Sequence, residues 1–105
     1  MELNKLVISS EMIGSTEYKV IDNITEELKH VLYHNDKDTH IYIVITEECG
    51  DVNKVMGEVL SLLTGNGLCD LLCKQYPENN LKCTIVANHA HTGNYIWDEY
   101  ATTVG

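Results

Sequence analysis

The stretch Thr39 to Asp51, THIYIVITEECGD, limits what this chain can fold into more than any other part of it. Its run Ile41-Tyr42-Ile43-Val44-Ile45 is β-branched or aromatic at every position, which is how a strand covered on both faces reads. The run is far too short for the ~20 apolar residues that span a bilayer. It then turns abruptly into Glu47-Glu48-Cys49-Gly50-Asp51. A buried strand that runs straight into carboxylates, a thiol and a glycine predicts a central strand whose carboxyl end opens on a polar rim, the usual place for a site on an α/β sheet.

The segments around it alternate in period. Leu3 to Ser10 reads as a first strand, with Leu6, Val7 and Ile8 contiguous, followed by a loop over Met12 to Thr16. From about Glu17 to His34 the positions Ile21, Ile24, Leu28, Val31 and Leu32 recur at helical spacing, with Ser15 or Thr16 as the cap. Asp51 can cap a second helix whose stripe is Val52, Val55, Met56, Val59, Leu60 and Leu63. The glycines of Thr64-Gly65-Asn66-Gly67 break that pattern, and a short helix resumes from Leu68 to Gln75 before Pro77. Leu81 to Asn88 reads as a third strand, and Asn94 to Val104 as a fourth with one solvated face.

Strand, helix, strand, helix, strand, strand is the order of an α/β fold, since each helix can return the chain over one face of a sheet. The expectation is one compact α/β domain over residues 1–105. It would be a two-layer sandwich with a three- or four-stranded, mainly parallel sheet and two main helices; a ferredoxin-like mixed sheet is the alternative. At 44% apolar residues the chain can bury a core without disulfides or metal.

Charge removes one class of partner. Sixteen acidic residues face seven lysines and no arginine, for a formal charge of −9. Phosphate contacts and guanine readout both lean on Arg and Lys, so direct nucleic-acid binding is not expected. Such a surface suits cation binding, solubility or docking on a basic partner. Met1 to Ser10 lacks the basic and apolar pattern of a signal peptide and no stretch suits a membrane, so a cytoplasmic protein is expected. Cys49, Cys69, Cys73 and Cys83 would then be reduced thiols, and their spacing includes no CxxC pair.

If the first three strands are parallel, they end together at Ser9-Ser10-Glu11, at Glu47-Glu48-Cys49-Asp51 and at Asn88-His89-His91. Cys49 with His89 or His91 could form a thiolate pair, with Glu47 or Glu48 orienting the imidazole. The same groups could hold a divalent metal, for which His89 and His91 are the candidates; no cofactor is otherwise expected. The weight lies on capping and structural roles for these acids, because carboxylates raise the pKa of a nearby thiol. His30, His34 and His40 fall at the opposite end of the sheet and read as exposed histidines. A four-histidine site from His30, His34, His89 and His91 is thereby ruled out within one parallel molecule.

Glu47-Glu48-Cys49-Gly50-Asp51 resembles the EExxD half of the carboxylate signature of MazG-like nucleotide pyrophosphohydrolases. The second half, ExxD, is missing, since Glu58 is followed by Ser61, and the preceding residues are strand-like where that family is helical. The match is set aside as coincidence. Gly14-Ser15-Thr16 lacks the glycine pattern and the lysine of a P-loop.

No motif in the chain identifies a reaction, and a non-enzymatic role is expected. By subtraction, the first reading is a small acidic protein-binding module that docks through Glu47, Glu48 and Asp51 on a basic, nucleic-acid-processing partner. Phage-encoded inhibitors of host defence and toxin-immunity proteins are of this kind. The alternative is a small-ligand or metal-binding sensor, or a minor enzyme, at the strand-end rim of Glu47, Glu48, Cys49, His89 and His91. Homo-oligomerisation through the C-terminal strand, with Tyr95, Trp97 and Tyr100, is a third expectation.

Overall fold

The computed structural model describes residues 4–14, 16–46, 50–88 and 102–104. Strand β1 (Asn4–Ser9) passes through a single 3-10 turn, Ser10–Ile13, into helix α1 (Glu17–Tyr33). Strand β2 (Thr39–Thr46) precedes α2 (Val52–Leu63) and α3 (Leu68–Gln75), and a 3-10 turn at Pro77–Asn79 leads to β3 (Lys82–Asn88). Strand β4 (Thr102–Val104) completes a sheet of order β1-β2-β3-β4. β1, β2 and β3 are parallel and β4 is antiparallel to β3. The two-layer, mainly parallel sandwich is the observed architecture, and the ferredoxin-like alternative is not.

Local chemistry sets the boundaries. Thr16 caps α1 by accepting from the Lys19 amide at 3.3 Å, and Asp51 caps α2 by accepting from the Lys54 amide at 3.2 Å. Gly67, at φ +72°, opens α3 in the left-handed region that favours glycine. The loop expected over Met12 to Thr16 is in part the 3-10 turn. It closes at Gly14, where φ is +137° and a Cβ would overlap Lys19 Cβ, so only glycine fits.

α1 and α2 both step the chain in the same direction along the sheet. Right-handed crossovers therefore place them on one face. Ile8, Ile43 and Ile85 share one cross-strand row, and Leu6, Ile41, Cys83 and Val104 share the next. These rows pack against Val20, Ile24, Leu28 and Leu32 of α1, Val55 and Val59 of α2, and Leu72 of α3 in one apolar cluster. Val44 and Val86 are fully buried yet lie outside that cluster, on the sheet face away from the helices. On that same face Val7 is 46% exposed. β2 is the central strand, as its composition requires, but its two faces differ: Ile41, Ile43 and Ile45 are buried, while His40 and Tyr42 are only partly so.

Candidate functional site

The parallel register brings the carboxyl ends of β1, β2 and β3 to one side of the sheet, as expected. Ser9 pairs with Val44, and Thr46 with Asn88. Glu47, Glu48, Cys49, His89 and His91 lie outside the described residues, as do Tyr95, Trp97 and Tyr100. Two parts of the rim are described. Ser10 is fully buried, its Oγ lies 3.0 Å from Thr46 Oγ1, and it accepts from the Thr46 amide at 3.0 Å. This closes the ends of β1 and β2 with satisfied hydroxyls. Asp51 is exposed, and its carboxylate serves the first turn of α2. Among the described residues no group of three His, Cys, Asp or Glu side chains is placed to hold a metal.

Two of the thiols on the described residues, Cys69 and Cys83, are not nucleophiles in waiting. Cys69 and Cys83 are buried in the helix-side core. Burial, followed by the neighbouring thiols Cys69 and Cys73, pushes Cys83 up to about 12. Burial, the Cys73 thiol and Asp70 push Cys69 up to about 11. Both stay protonated at neutral pH and pack as small apolar groups.

A more developed surface runs along the outside of α1. Because α1 buries Val20, Ile24, Leu28 and Leu32, the opposite arc is left to solvent. At 100° per residue Tyr18, Asp22, Glu26, Lys29 and Tyr33 fall within about 80° of one another on that arc. Tyr18 is 76% exposed and Tyr33 75%, so an aromatic side chain stands at each end of the helix with two carboxylates between. Glu26 reaches Lys29 at 4.0 Å, the one ion pair among the described residues. At that distance and exposure the pair is worth little.

Beside this arc lies an open groove of about 970 Å³ bordered by Met12, Gly14, Lys19, Asn23, Glu27 and His30. Its wall is shaped by the 3-10 turn, held to the helix where Asn23 Nδ2 donates to the Ile13 carbonyl at 3.0 Å. Met12, 65% exposed, stands at its mouth. A second hollow of about 470 Å³ on the α2 side is lined by Thr16, Tyr18, Ile21, Asp22 and Glu58. Glu26 and Glu27 line the first hollow beside Lys19 and His30, Asp22 and Glu58 line the second, and each has a methionine or tyrosine at hand.

A third arrangement, on the sheet face away from α1, α2 and α3, corrects the reading of His40 as one more exposed histidine. His30 and His34 are exposed, but His40 is partly buried. Its ring stacks on Tyr42 at 4.3 Å between centroids, and its Nε2 lies 2.6 Å from Thr84 Oγ1. Thr84 Oγ1 in turn lies 2.7 Å from Thr103 Oγ1 on β4. Burial first, then Lys82 and Lys5, holds the imidazole below its ordinary value. The period-2 parity of Lys5 and Val7, of His40 and Tyr42, and of Lys82 and Thr84 carried this signal. It was masked by the contiguous apolar runs in each strand.

No family model, curated protein or solved structure matches this chain.

Proposed function

We propose that this chain is an acidic protein-binding module that docks through the outward face of α1 on a basic surface of a partner protein, of the kind that nucleic-acid-processing proteins carry. The observation that supports this is the stripe of Tyr18, Asp22, Glu26 and Tyr33. Two largely exposed tyrosines bracket two carboxylates, of which, among the described residues, Glu26 alone is in an ion pair, with Lys29 at 4.0 Å. Tyrosine is enriched among residues that dominate binding energy, because it covers much area at low entropic cost and keeps a polar tip. Carboxylates around such anchors steer encounter with a basic surface and reject acidic ones. The helix is held rigidly from behind by its buried face, so binding orders little of its backbone. The hollow lined by Asp22 and Glu58 extends the same complementarity to a lysine or arginine side chain reaching past the helix.

The test compares the wild-type chain with Asp22→Lys/Glu26→Lys and with Tyr18→Ala/Tyr33→Ala as baits in the native host. A partner with a basic surface should be retained by wild type and lost by both variants, and its affinity should weaken as salt rises. All four side chains are on the outward face, so unfolding curves should match wild type. A partner retained equally by all three baits removes this face from the interaction.

A further inference from the structure

We propose that the row Lys5, His40 and Lys82, on the sheet face away from α1, α2 and α3, is a binding site for a small oxyanion of the phosphate class. Parallel pairing sets Lys5 beside His40 and His40 beside Lys82, so the three occupy one line across β1, β2 and β3. They share the parity of Val7, Tyr42 and Thr84 and lie opposite the rows that meet the helices. Adjacent strands are about 4.8 Å apart, which puts the two lysine stems about 10 Å apart with the imidazole midway. Both lysines are exposed, and their stems are long enough for both ammonium groups to converge over the ring.

The charge environment is the unusual part. Acids outnumber lysines sixteen to seven in this chain. Yet, among the described residues, the charged groups acting on His40 are Lys82 and Lys5, with no carboxylate among them. Neither lysine is in an ion pair among the described residues. Among the described residues, then, two lysines and a histidine stand in one row with no carboxylate paired to them, a local concentration of positive charge in an acidic chain.

The imidazole is also held in place. The Tyr42 ring stacks on one side of it, and the hydroxyls of Thr84 and Thr103 form a chain that ends on Nε2. Nδ1 is left as the other hydrogen-bonding site of the ring. When His40 is protonated, Nε2–H donates to Thr84 and Nδ1–H becomes a third donor beside the two ammonium groups. A dianion balances such a set better than a monoanion, and lysine serves phosphate as a point charge. Binding and protonation of His40 are therefore linked: the anion raises the His40 pKa, and protonation tightens the anion.

The experiment follows the ring proton signals of His40 by NMR through a pH titration, in chloride and in sulfate at equal ionic strength. Sulfate is the probe because it stays dianionic across the histidine range. His40 should titrate about one unit higher in sulfate than in chloride. The Lys5→Gln/Lys82→Gln variant should start from a higher His40 pKa, having lost the repulsion, and show no response to sulfate. Equal titration in chloride and sulfate, or a sulfate response that survives in the double variant, overturns the proposal. Competition with sulfate by inorganic phosphate and by phosphoserine then identifies the source. Tighter competition by the first points to the free ion and by the second to a monoester on a larger molecule. Failure of both to compete also overturns the site.

Discussion

The Asn79 side-chain amide donates to the Asn35 carbonyl oxygen at 2.6 Å across 44 residues of chain, tying the turn before β3 to the loop that delivers β2. The same nitrogen reaches the Lys37 carbonyl at 3.2 Å and Thr39 Oγ1 at 3.1 Å, and Asn79 is 1% exposed. Thr39 passes its own proton to the Lys37 carbonyl at 2.7 Å. Alongside, Asn80 adopts the left-handed conformation at φ +41°, which asparagine tolerates, and its amide donates to Asp38 at 2.7 Å. One buried amide therefore positions the amino ends of two neighbouring strands.

Replacing Asn79 by Ala removes the donor to the part-buried Asn35 carbonyl and to the buried Thr39 hydroxyl, and leaves the Lys37 carbonyl with Thr39 alone. The expected cost is about 1–3 kcal/mol, visible as a lower midpoint in urea with an unchanged slope. Asn79→Asp should cost more, because it turns a carboxylate oxygen toward two carbonyl oxygens. A wild-type midpoint for Asn79→Ala would show that the loop does not depend on this amide.

Asp51 separates a capping role from a docking role. As the N-cap of α2 it accepts from the Lys54 amide, and asparagine caps about as well as aspartate. Asp51→Asn should leave stability within a few tenths of a kcal/mol, whereas Asp51→Ala should cost about 1 kcal/mol. If Asp51 also contacts a basic partner, Asp51→Asn weakens binding without changing the unfolding curve. Equal stability of the Asn and Ala variants would show that the cap contributes nothing.

His40 makes stability depend on pH with a definite sign. Its folded-state value lies below the ordinary 6.5, so between the two values the unfolded chain binds more protons than the native one. Stability should therefore fall as pH drops through 6.5, with the loss complete below the folded value. His40→Gln keeps a hydrogen-bonding side chain without the titration. Denaturant midpoints of wild type and variant should converge toward acid pH and separate above neutrality. Curves that remain parallel across the whole range would contradict the assignment.

Cys83 should be chemically silent in the folded protein. Its thiol is buried and held near 12, so alkylation by iodoacetamide at mildly alkaline pH needs prior unfolding. Peptide mapping by mass spectrometry should find Cys83 unmodified in buffer and modified in urea. Labelling in buffer at the rate seen in urea would mean that the strand opens locally.

Much of the architecture was legible in the chain because its signals are local. The contiguous β-branched run of β2, the helical spacing of Ile24, Leu28 and Leu32, the cap at Asp51 and the glycine break before Leu68 each act within a turn or two of themselves. The tertiary structure decided the rest. A run such as Ile41 to Ile45 does not say which of its faces meets the helices. Only the placement of both crossovers on one side turned Ile41, Ile43 and Ile45 inward and left His40 and Tyr42 toward the other face. The stripe of Tyr18, Asp22, Glu26 and Tyr33 was present in the sequence as periodicity, but its exposure depended on what packs beside α1. The line of Lys5, His40 and Lys82 depended on strand register, because it joins residues 35 to 77 positions apart, and no local propensity carries information over that separation.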